Sequence, residues 1–500
     1  MEWSSSAISS SLPSQWRYVA EGAANLILAY SPPADGTVCE HLTGKCLRLA
    51  KRATGSPATG SNPAGSTHIT PGEFTRRFLA AVIPSELLLA FQHVPLDPSH
   101  RTWLQDIAAL VHAMRPPAKR AHSEIDLAAR HAVIMDNLTG PPTGADDAPL
   151  MLSFEIKPKW ASLPRAPEWL HPTSIETKTQ FCRTCVFRAV RALEHPSTPT
   201  DPASSPAQQQ QQQKQQKEQS LNAYYTSPQR FCALQLFSTG HPAHLRQALT
   251  RLLAEWQFRP RSSPSPDPVH EPAPGPEGAS PLGPTHAHNN LKVFCNGVLL
   301  DPVSVQIDPQ MVEVLAVTLE RSGVLVRLAD LQRRLDPLDI EGLFAELDGA
   351  PGGGDAVLAE PVTVAELDAI IPLLAESIAP TECARAFARL PLRTKAVMYA
   401  LAMTLRDCSL FVRLPLLQDP LSPTSCISRF SPATDALASP AAHSLVKIID
   451  LDLKPITRLH KYLANDRATF SRFTNLLLSS HSSQHTSCVQ LTSSPPVLPS

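Results

Sequence analysis

Hydrophobic and polar residues along this chain predict short strands and amphipathic helices that follow one another in no regular order. Strands are predicted at Leu26–Tyr30, Lys45–Leu49, Met151–Ile156 and Ser409–Leu414, and a hairpin at Leu291–Leu300 around the turn Asn296-Gly297. Helices are predicted at His241–Trp256, at Leu392–Arg406, and from the capping box Thr363/Glu366 through Leu374 with a kink at Pro372. Because strands and helices do not form repeating βαβ units, the predicted fold class is α+β.

Low-complexity tracts interrupt these patterns. The glutamine-rich stretch 196–222 and the tail 477–500 are predicted to be disordered, because they offer too little apolar surface to offset the entropy of ordering. The proline-rich stretch 259–288 is predicted to be an extended loop of the polyproline type. Shorter loops are expected at Thr54–Thr67, Asp348–Asp355 and Gln418–Pro440. None of these segments is expected to supply a catalytic group.

Composition narrows the class of protein further. The 500 residues carry a formal charge of −1, which excludes a globally basic nucleic-acid binder but leaves local patches open. The 10 cysteines are scattered apart from Cys182 and Cys185, so a disulfide framework is not expected. The N-terminus shows no signal-peptide pattern, and no apolar run is long enough to span a membrane. We therefore expect a protein of the nucleus or cytoplasm.

The segment Ser444–Tyr462 joins an apolar strand to acidic and then cationic residues. Asp450 and Asp452 come at the strand end, two apart and so expected on one face, where a cation must offset their repulsion. Carboxylates suit Mg²⁺, which shares phosphate oxygens as further ligands. The following Lys454, Arg458 and Lys461 suit a second, highly anionic partner. The alternative is a polar surface hairpin in which the lysines alone neutralise the acids.

Other candidate residues carry weaker signals. Lys157 and Lys159 flank Pro158 at strand spacing, which fits either an anion between two ammonium groups or an exposed edge strand. Asp407 lies between a helix and a strand, where it either accepts a proton from a hydroxyl or simply terminates an element. Gly22 fits a phosphate-binding loop or an ordinary tight turn.

The segment Phe181–Arg191 offers both cations and thiols. Arg188 and Arg191 are three apart, so on a helix they form a face that grips phosphate or is merely solvated. Cys182 and Cys185 would need a second pair of ligands to hold zinc, and nothing nearby in the sequence supplies it. A metal site is not expected there.

The order and wording of seven motifs together indicate a family. W-R-Y-V-A-E-G-A-A-N-L, E-I-K-P-K, C-R-T-C, N-N-L-K-V-F-C-N-G, L-D-I-E-G, R-D-C-S and I-D-L-D-L-K-P follow one another from about Trp16 to about Phe473. In this respect the chain resembles the inositol-pentakisphosphate 2-kinase family. The low-complexity insertions give it a fungal-like character.

The resemblance implies a fold and an activity. Family members are two-lobed, distantly like protein kinases, which implies an N-lobe at 14–135 and a C-lobe at 136–476. They transfer the γ-phosphoryl group of ATP, with Mg²⁺, to the 2-hydroxyl of inositol 1,3,4,5,6-pentakisphosphate and so make inositol hexakisphosphate, or phytic acid. A monomer that binds no nucleic acid is expected. The alternative is a catalytically weak scaffold that binds inositol phosphates.

The resemblance also assigns roles to residues. On the nucleotide side it implies Gly22, Asn25 and Arg48 near the phosphates, Asp136, Asn137 and Leu138 beside adenine, and Asn290 and Lys292 at the boundary with the acceptor. At the reacting centre it implies Asp407 as the base, Lys157 on the transferring phosphate and Asp450 on Mg²⁺. On the acceptor it implies Lys159, Arg115, Arg183, Arg191, Asn289, Lys454, Arg458 and Tyr462.

Several positions depart from the family pattern. Ala20 stands where the phosphate loop usually has its first glycine, and Val19 where an arginine is common, which supports the scaffold alternative. Alanine tolerates a positive φ poorly, so a different turn is expected. Plant members bind zinc near the loop after L-D-I-E-G, but Gly349–Asp355 contains no Cys or His here, so no zinc is expected.

Overall fold

The computed structural model describes the chain in ranges separated by gaps. These ranges are residues 8, 11–22, 24–32, 39–54, 69, 71–140, 150–194, 231–238, 240–257, 290–302, 308–350, 354–359, 361–375, 378–416, 445–479 and 487–493. The stretch 196–222, predicted to be disordered, the proline-rich loop 259–288 and the loop Gln418–Pro440 lie outside the described residues.

Six strands from the first part of the chain form one antiparallel sheet. They are β1 (Trp16–Glu21), β2 (Asn25–Tyr30), β3 (Lys45–Ala53), β4 (Phe91–Pro95), β5 (Ser123–Ile125) and β6 (His131–Asp136). Their order is β1-β2-β3-β6-β4, with β5 paired to the far part of β3. One core cluster joins this sheet to the helix Arg101–His112, which buries Leu104, Ile107 and Val111.

Five later strands form a second antiparallel sheet. They are β7 (Met151–Ile156), β8 (Leu291–Cys295), β9 (Val298–Leu299), β10 (Ser409–Pro415) and β11 (Leu445–Ile449). Their order is β11-β10-β7-β8-β9. Strand β7 is buried along its whole length, as its position between two neighbours and its apolar sequence require.

Helices surround the second sheet and make the largest core cluster with it. In chain order the helices are α1 (Pro71–Phe74), α2 (Ala80–Val82), α3 (Arg101–His112), α4 (Pro117–His122), α5 (Ile175–Gln180), α6 (Arg183–Glu194), α7 (Ala233–Leu236), α8 (Pro242–Gln257), α9 (Pro309–Ser322), α10 (Val324–Leu335), α11 (Asp339–Asp348), α12 (Gly354–Leu358), α13 (Val364–Ile370), α14 (Pro380–Ala388), α15 (Leu392–Arg406), α16 (Leu459–Ser479) and α17 (Cys488–Ser493). A π-helical turn, Thr75–Leu79, joins α1 to α2. Within the described ranges, no helix combines the length and apolarity needed to cross a membrane.

The predicted α+β class is confirmed, because helices accompany two antiparallel sheets. The hairpin between β8 and β9 turns at Asn296 and Gly297, whose φ angles of 42° and 85° suit the mirror-image turn that such a pair favours. The capping box of Thr363 and Glu366 opens α13, and the chain tightens into the 3₁₀ turn Ile371–Leu374 at Pro372. The two-lobed, kinase-like arrangement stays a prediction.

The C-terminal tail differs from its predicted disorder over part of its length. Helix α16 continues through Ser479, and residues 488–493 form α17. Cys488 is fully buried against Phe470 and Phe473 of α16. Apolar contacts made by a few residues thus order a segment whose overall composition is polar.

Candidate functional site

One end of the second sheet gathers the most reactive side chains. Ile156 of β7 pairs with Leu410 of β10, and Ser409 pairs with Ile449 of β11. Because neighbouring strands are antiparallel, β7 and β11 end at the edge where β10 begins. The residues just outside those ends, among them Lys157, Asp407 and Asp450, therefore lie at one edge of the sheet.

Asp450 faces a lysine and a hydroxyl at this edge. Lys157 Nζ lies 3.7 Å from its Oδ2, and Ser409 Oγ donates to the same oxygen at 3.1 Å. The backbone N–H of Lys157 donates to the carbonyl of Asn290, at 2.9 Å, which fixes where the lysine leaves β7. The Asp450 side chain remains 52% exposed, so an incoming ligand has access to its oxygens.

Asp407 lies between two other lysines. Lys454 Nζ is 2.6 Å from Oδ2, and Lys159 Nζ is 3.4 Å from Oδ1. Burial alone would raise the pKa of Asp407, but the hydrogen bond from Lys454 and the charge of Lys159 hold this pKa below its usual value. Burial lowers the pKa of Lys159, and Asp407 opposes that shift. The carboxylate is therefore ionised while 48% of it remains exposed.

Two residues at this edge have left-handed backbone, with φ of 65° at Lys159 and 60° at Asp450. For residues other than glycine this conformation needs support from the surroundings, and it is common at functional sites. Gln332 supplies support by donating to the carbonyl of Lys159 at 3.0 Å and accepting from the N–H of Ala161 at 3.0 Å.

Trp160, the residue after Lys159, is held between two guanidinium groups. Arg406 and Arg183 lie 3.8 and 4.1 Å from the centre of its rings. Arg406 pairs in turn with the buried Asp336 at 2.6 Å. Cation–π contacts of buried arginines stabilise by about 1–2 kcal/mol each, so they fix the peptide that carries Lys159.

Arg183 belongs to a buried set of charges that we call the α11 ion cluster. Its members are Lys178, Arg183, Asp339, Glu341 and Asp466. Arg183 pairs with Asp339 at 2.7 Å and with Asp466 at 2.5 Å, and its side chain is 6% exposed.

The first sheet reaches this edge through one ion pair. Arg48 of β3 pairs with Asp452, and its Nε lies 3.2 Å from the Asn25 amide oxygen when that amide faces it. Beside them the N–H of Gly22 donates to the carbonyl of Asn25 at 2.9 Å and closes the β1–β2 turn. The strand ends at Ile449, and each acid has its own cationic partner, Lys157 for Asp450 and Arg48 for Asp452. A metal ion shared by the two acids stays a prediction.

The β1 strand accommodates Ala20 through a bulge. The register shifts between Tyr18, opposite Leu28, and Ala20, opposite Ile27. Among the described residues other than glycine, a positive φ occurs at four positions, and Ala20 is not one of them. The expected change of turn is thus a bulge, which increases strand twist without straining alanine.

Residues 18–468 match the family model described as inositol-pentakisphosphate 2-kinase. The chain belongs to the inositol-pentakisphosphate 2-kinase family. Two relatives named inositol-pentakisphosphate 2-kinase come from the JEC21 and B-3501A strains of Cryptococcus neoformans var. neoformans serotype D. Each is 27% identical over 476 residues, which cover 91% of this chain and 92% of the relative. The membership predicted from seven motifs is confirmed.

Several residues given roles by the family resemblance lie close together. Lys157, Lys159, Asp407, Asp450 and Lys454 converge at one sheet edge. Arg458 is exposed at the end of the 3₁₀ turn Ile456–Arg458, and Tyr462 is half-buried in the following helix. Their assignment to particular phosphates stays a prediction.

Other residues with family-implied roles are already paired within the protein. Arg115 binds Glu21 at 2.8 Å beside Lys51, which pairs with Glu21 at 2.6 Å, and all three side chains are buried. Arg183 lies in the α11 ion cluster, where it forms ion pairs with two carboxylates. Neither side chain presents a free donor to an acceptor in this structure, which differs from the sequence-based expectation.

The segment expected beside adenine is shaped by hydrogen bonds. Asp136 pairs with Lys45 at 2.5 Å, and Leu138 packs with Phe294 and Phe411. The side-chain oxygen of Asn137 accepts from Thr139 N–H at 3.0 Å and from its hydroxyl at 2.7 Å. The Asn137 side chain therefore holds the turn, while its N–H donates to the carbonyl of Gly44 and the Leu138 carbonyl accepts from Ser153.

The remaining assigned residues are less constrained. Lys292 pairs with Glu155 at 2.7 Å on neighbouring strands, and Arg191 is exposed on α6. Arg188, considered with Arg191 as a phosphate face, pairs with Glu255 instead. Asn289 lies outside the described residues.

The family motifs L-D-I-E-G and C-R-T-C contribute to the interior. Asp339 and Glu341 supply two carboxylates of the α11 ion cluster, and a Cβ added to Gly342 would lie 2.8 Å from that of Trp169. The expectation that Cys182 and Cys185 lack a second pair of thiols is wrong in three dimensions. Cys232 and Cys488 lie beside them, although both are remote in sequence.

Sequence reasoning missed three supporting residues of the site. Ser409, Gln332 and Trp160 hold Asp450 and Lys159 through the contacts described above. Ser409 is the last residue of the motif R-D-C-S, and Trp160 directly follows E-I-K-P-K. Their position in or beside a family motif was the one signal that could have pointed to them. Gln332 is an ordinary helix residue in the sequence, so nothing local marks it.

Proposed function

We propose that this chain is an ATP-dependent kinase that phosphorylates the 2-hydroxyl of inositol 1,3,4,5,6-pentakisphosphate to give inositol hexakisphosphate. The observation that carries the proposal is the convergence of two exposed carboxylates and three lysines at one sheet edge in a member of this family. Phosphoryl transfer depends mainly on positioning and charge neutralisation. Carboxylates and lysines at a single edge supply both.

Asp407 is the proposed base for the acceptor hydroxyl. A base must be ionised and within reach of the proton that it accepts. The lowered pKa of Asp407 keeps it ionised, and its half-exposed oxygens are accessible. Lys454 and Lys159 orient the two oxygens, so the hydroxyl would approach from the open side between them.

Asp450 is the proposed Mg²⁺ ligand. A half-exposed carboxylate with a hydroxyl neighbour fits a hard cation that keeps waters and phosphate oxygens among its ligands. When bound, Mg²⁺ would neutralise charge on the ATP phosphates. Lys157, 3.7 Å away, would contact the transferring phosphoryl group once the cation replaces it beside Asp450.

Acceptor recognition is assigned to cations after β11. Lys454, Arg458 and Tyr462 follow one another within a short segment, and arginine can bind a phosphate through two parallel hydrogen bonds. Arg191 and Asn289 complete the proposed set. Arg115 and Arg183 would have to exchange a carboxylate for a phosphate to join it.

Nucleotide binding is assigned to the first sheet and the segment after it. Arg48 of β3 pairs with Asp452, Gly22 and Asn25 lie at the neighbouring β1–β2 turn, and Asp136–Leu138 lead from β6 toward β7. Asn290 and Lys292 border the site because Asn290 accepts from Lys157. The unstrained bulge at Ala20 argues against loss of function, and so against the scaffold alternative.

The test is phosphorylation of inositol pentakisphosphate by the purified chain with ATP and Mg²⁺, resolved by ion-exchange chromatography. Inositol hexakisphosphate should form, and Asp450→Asn should abolish turnover while leaving the circular dichroism spectrum unchanged. Asp368→Asn, a change at an exposed surface ion pair, is the matched control and should retain activity. Tight binding of the pentakisphosphate without product would favour the scaffold, and neither binding nor product would refute both.

A further inference from the structure

Four buried cysteines converge in a cluster that includes none of the phosphoryl-transfer residues. The Sγ atoms of Cys182, Cys185, Cys232 and Cys488 all lie within 4.8 Å of one another. The Cys182 and Cys232 sulfurs are 3.9 Å apart, and all four side chains are fully buried. We call this group the four-cysteine cluster.

The spacing fits a tetrahedral metal site. A Zn–S distance of about 2.3 Å places sulfurs on a tetrahedron about 3.8 Å apart, close to the observed separation. Cys182 and Cys185 have the C-x₂-C spacing that structural zinc sites use. The N–H of Cys185 already points to Cys182 Sγ at 3.4 Å, a contact that orients and stabilises a thiolate ligand.

The four thiols come from three separate stretches of chain. Cys182 and Cys185 begin α6, Cys232 precedes α7, and Cys488 begins α17. The apolar core around them would be satisfied by ordinary hydrophobic residues, as Phe181 and Phe473 show nearby. Packing therefore does not explain why four sulfurs from distant positions meet at one point.

We propose that the four-cysteine cluster binds a structural zinc ion. The sequence-based expectation of no zinc considered only ligands near the C-x₂-C pair along the chain and in the loop after L-D-I-E-G, whereas Cys232 and Cys488 are remote in sequence. All four ligand positions are filled by protein, so the ion would hold structure and not bind substrate. It would join the residues at the start of α6 and just before α7 to α17, which lies beyond residue 468 where the family match ends.

Metal content of the full-length chain tests the proposal directly. Protein purified without a metal-affinity tag should contain about one zinc per chain by mass spectrometry of the elements. Cys232→Ser and Cys488→Ser should each lose most of it. Cys383→Ser is the matched control, because Cys383 is also buried but lies outside the cluster, and it should keep the zinc.

A second measurement needs no variant and so does not depend on their folding. Cobalt(II) exchanged into the wild-type chain should give the visible absorption of a tetrahedral thiolate site, and added zinc should remove it. Wild-type protein with no zinc and no such spectrum would overturn the proposal, as would a disulfide between Cys182 and Cys232 found by alkylation and mass spectrometry. Zinc content is independent of the acceptor, so failure of the kinase assay would leave this result standing.

Discussion

Replacing Lys178 with methionine should destabilise the fold more than any surface ion-pair change. Lys178 is fully buried in the α11 ion cluster and pairs with Asp339 at 2.9 Å, Glu341 at 3.2 Å and Asp466 at 2.5 Å. Three carboxylates face two cations there. Methionine keeps the length of the side chain, so the perturbation is chiefly the loss of one positive charge.

The expected loss is about 3–5 kcal/mol of unfolding free energy, the range for breaking a buried ion pair from one side. The pKa shift of Asp339 gives an independent estimate of this loss. Burial would raise the pKa of Asp339, yet Arg183 and Lys178 lower it from 3.8 to about 2. A shift of that size corresponds to about 2 kcal/mol, and Lys178 serves two further carboxylates.

The sign of the pH dependence follows from these shifts. In the wild type the folded pKa of Asp339 is lowered, so its contribution is present above pH 3.8 and is lost as pH falls toward 2. In Lys178→Met, Asp339 loses one of the two charges that lower its pKa, so less of this contribution remains. The deficit relative to the wild type should therefore be smaller at about pH 3 than at about pH 6.

Urea unfolding followed by circular dichroism at both pH values measures the deficit. Lys45→Met is the matched control, because Lys45 and Asp136 are 30% and 51% exposed and such pairs contribute about 0–1 kcal/mol. A deficit no larger than that of Lys45→Met, or one that does not change with pH, would refute the reasoning.

Three further predictions concern catalysis and the insertion. Lys454→Met removes the hydrogen bond that lowers the pKa of Asp407, so the acid limb of the kcat–pH profile should move to higher pH. The control Lys461→Met, at an exposed lysine, should leave the limb in place. An unmoved limb in Lys454→Met would remove Asp407 from the role of base. Arg458→Ala should weaken inositol-phosphate affinity more than ATP affinity in binding calorimetry, and equal losses would contradict its assignment. Deleting Ala203–Gln219 should leave kcat and KM nearly unchanged, because the deleted stretch supplies no catalytic group; a large loss of rate would show that the domain map is wrong.

Local sequence patterns predicted the secondary structure that frames the site. The bounds of Met151–Ile156 and Leu392–Arg406 match the structure residue for residue, because both segments are mostly apolar and the fold buries most of their residues. The turn at Asn296-Gly297 was predicted because both residues accept a positive φ.

What could not be predicted depends on contacts between distant residues. The pairing of Arg183 with Asp339 and Asp466 joins positions far apart in sequence, and so does the meeting of Cys182 with Cys488. The left-handed backbone at Lys159 has no local signal either, since Gln332 and the arginines around Trp160 stabilise it from other elements. The order of the motifs identified the family, but only the fold shows which of the charged residues in these motifs form ion pairs inside the protein.

In the β10–β11 hairpin, the positions of Asp407 and Asp450 do not depend on the length of the connection between the two strands. Asp407 and Asp450 flank the end of the hairpin where Ser409 pairs with Ile449, whereas residues 417–444 connect the strands at the other end. Strand register alone then sets how far apart the two acids lie. The two acids thus lie at the opposite end of the hairpin from its connection, and we expect a change in the length of that connection to leave their separation unchanged.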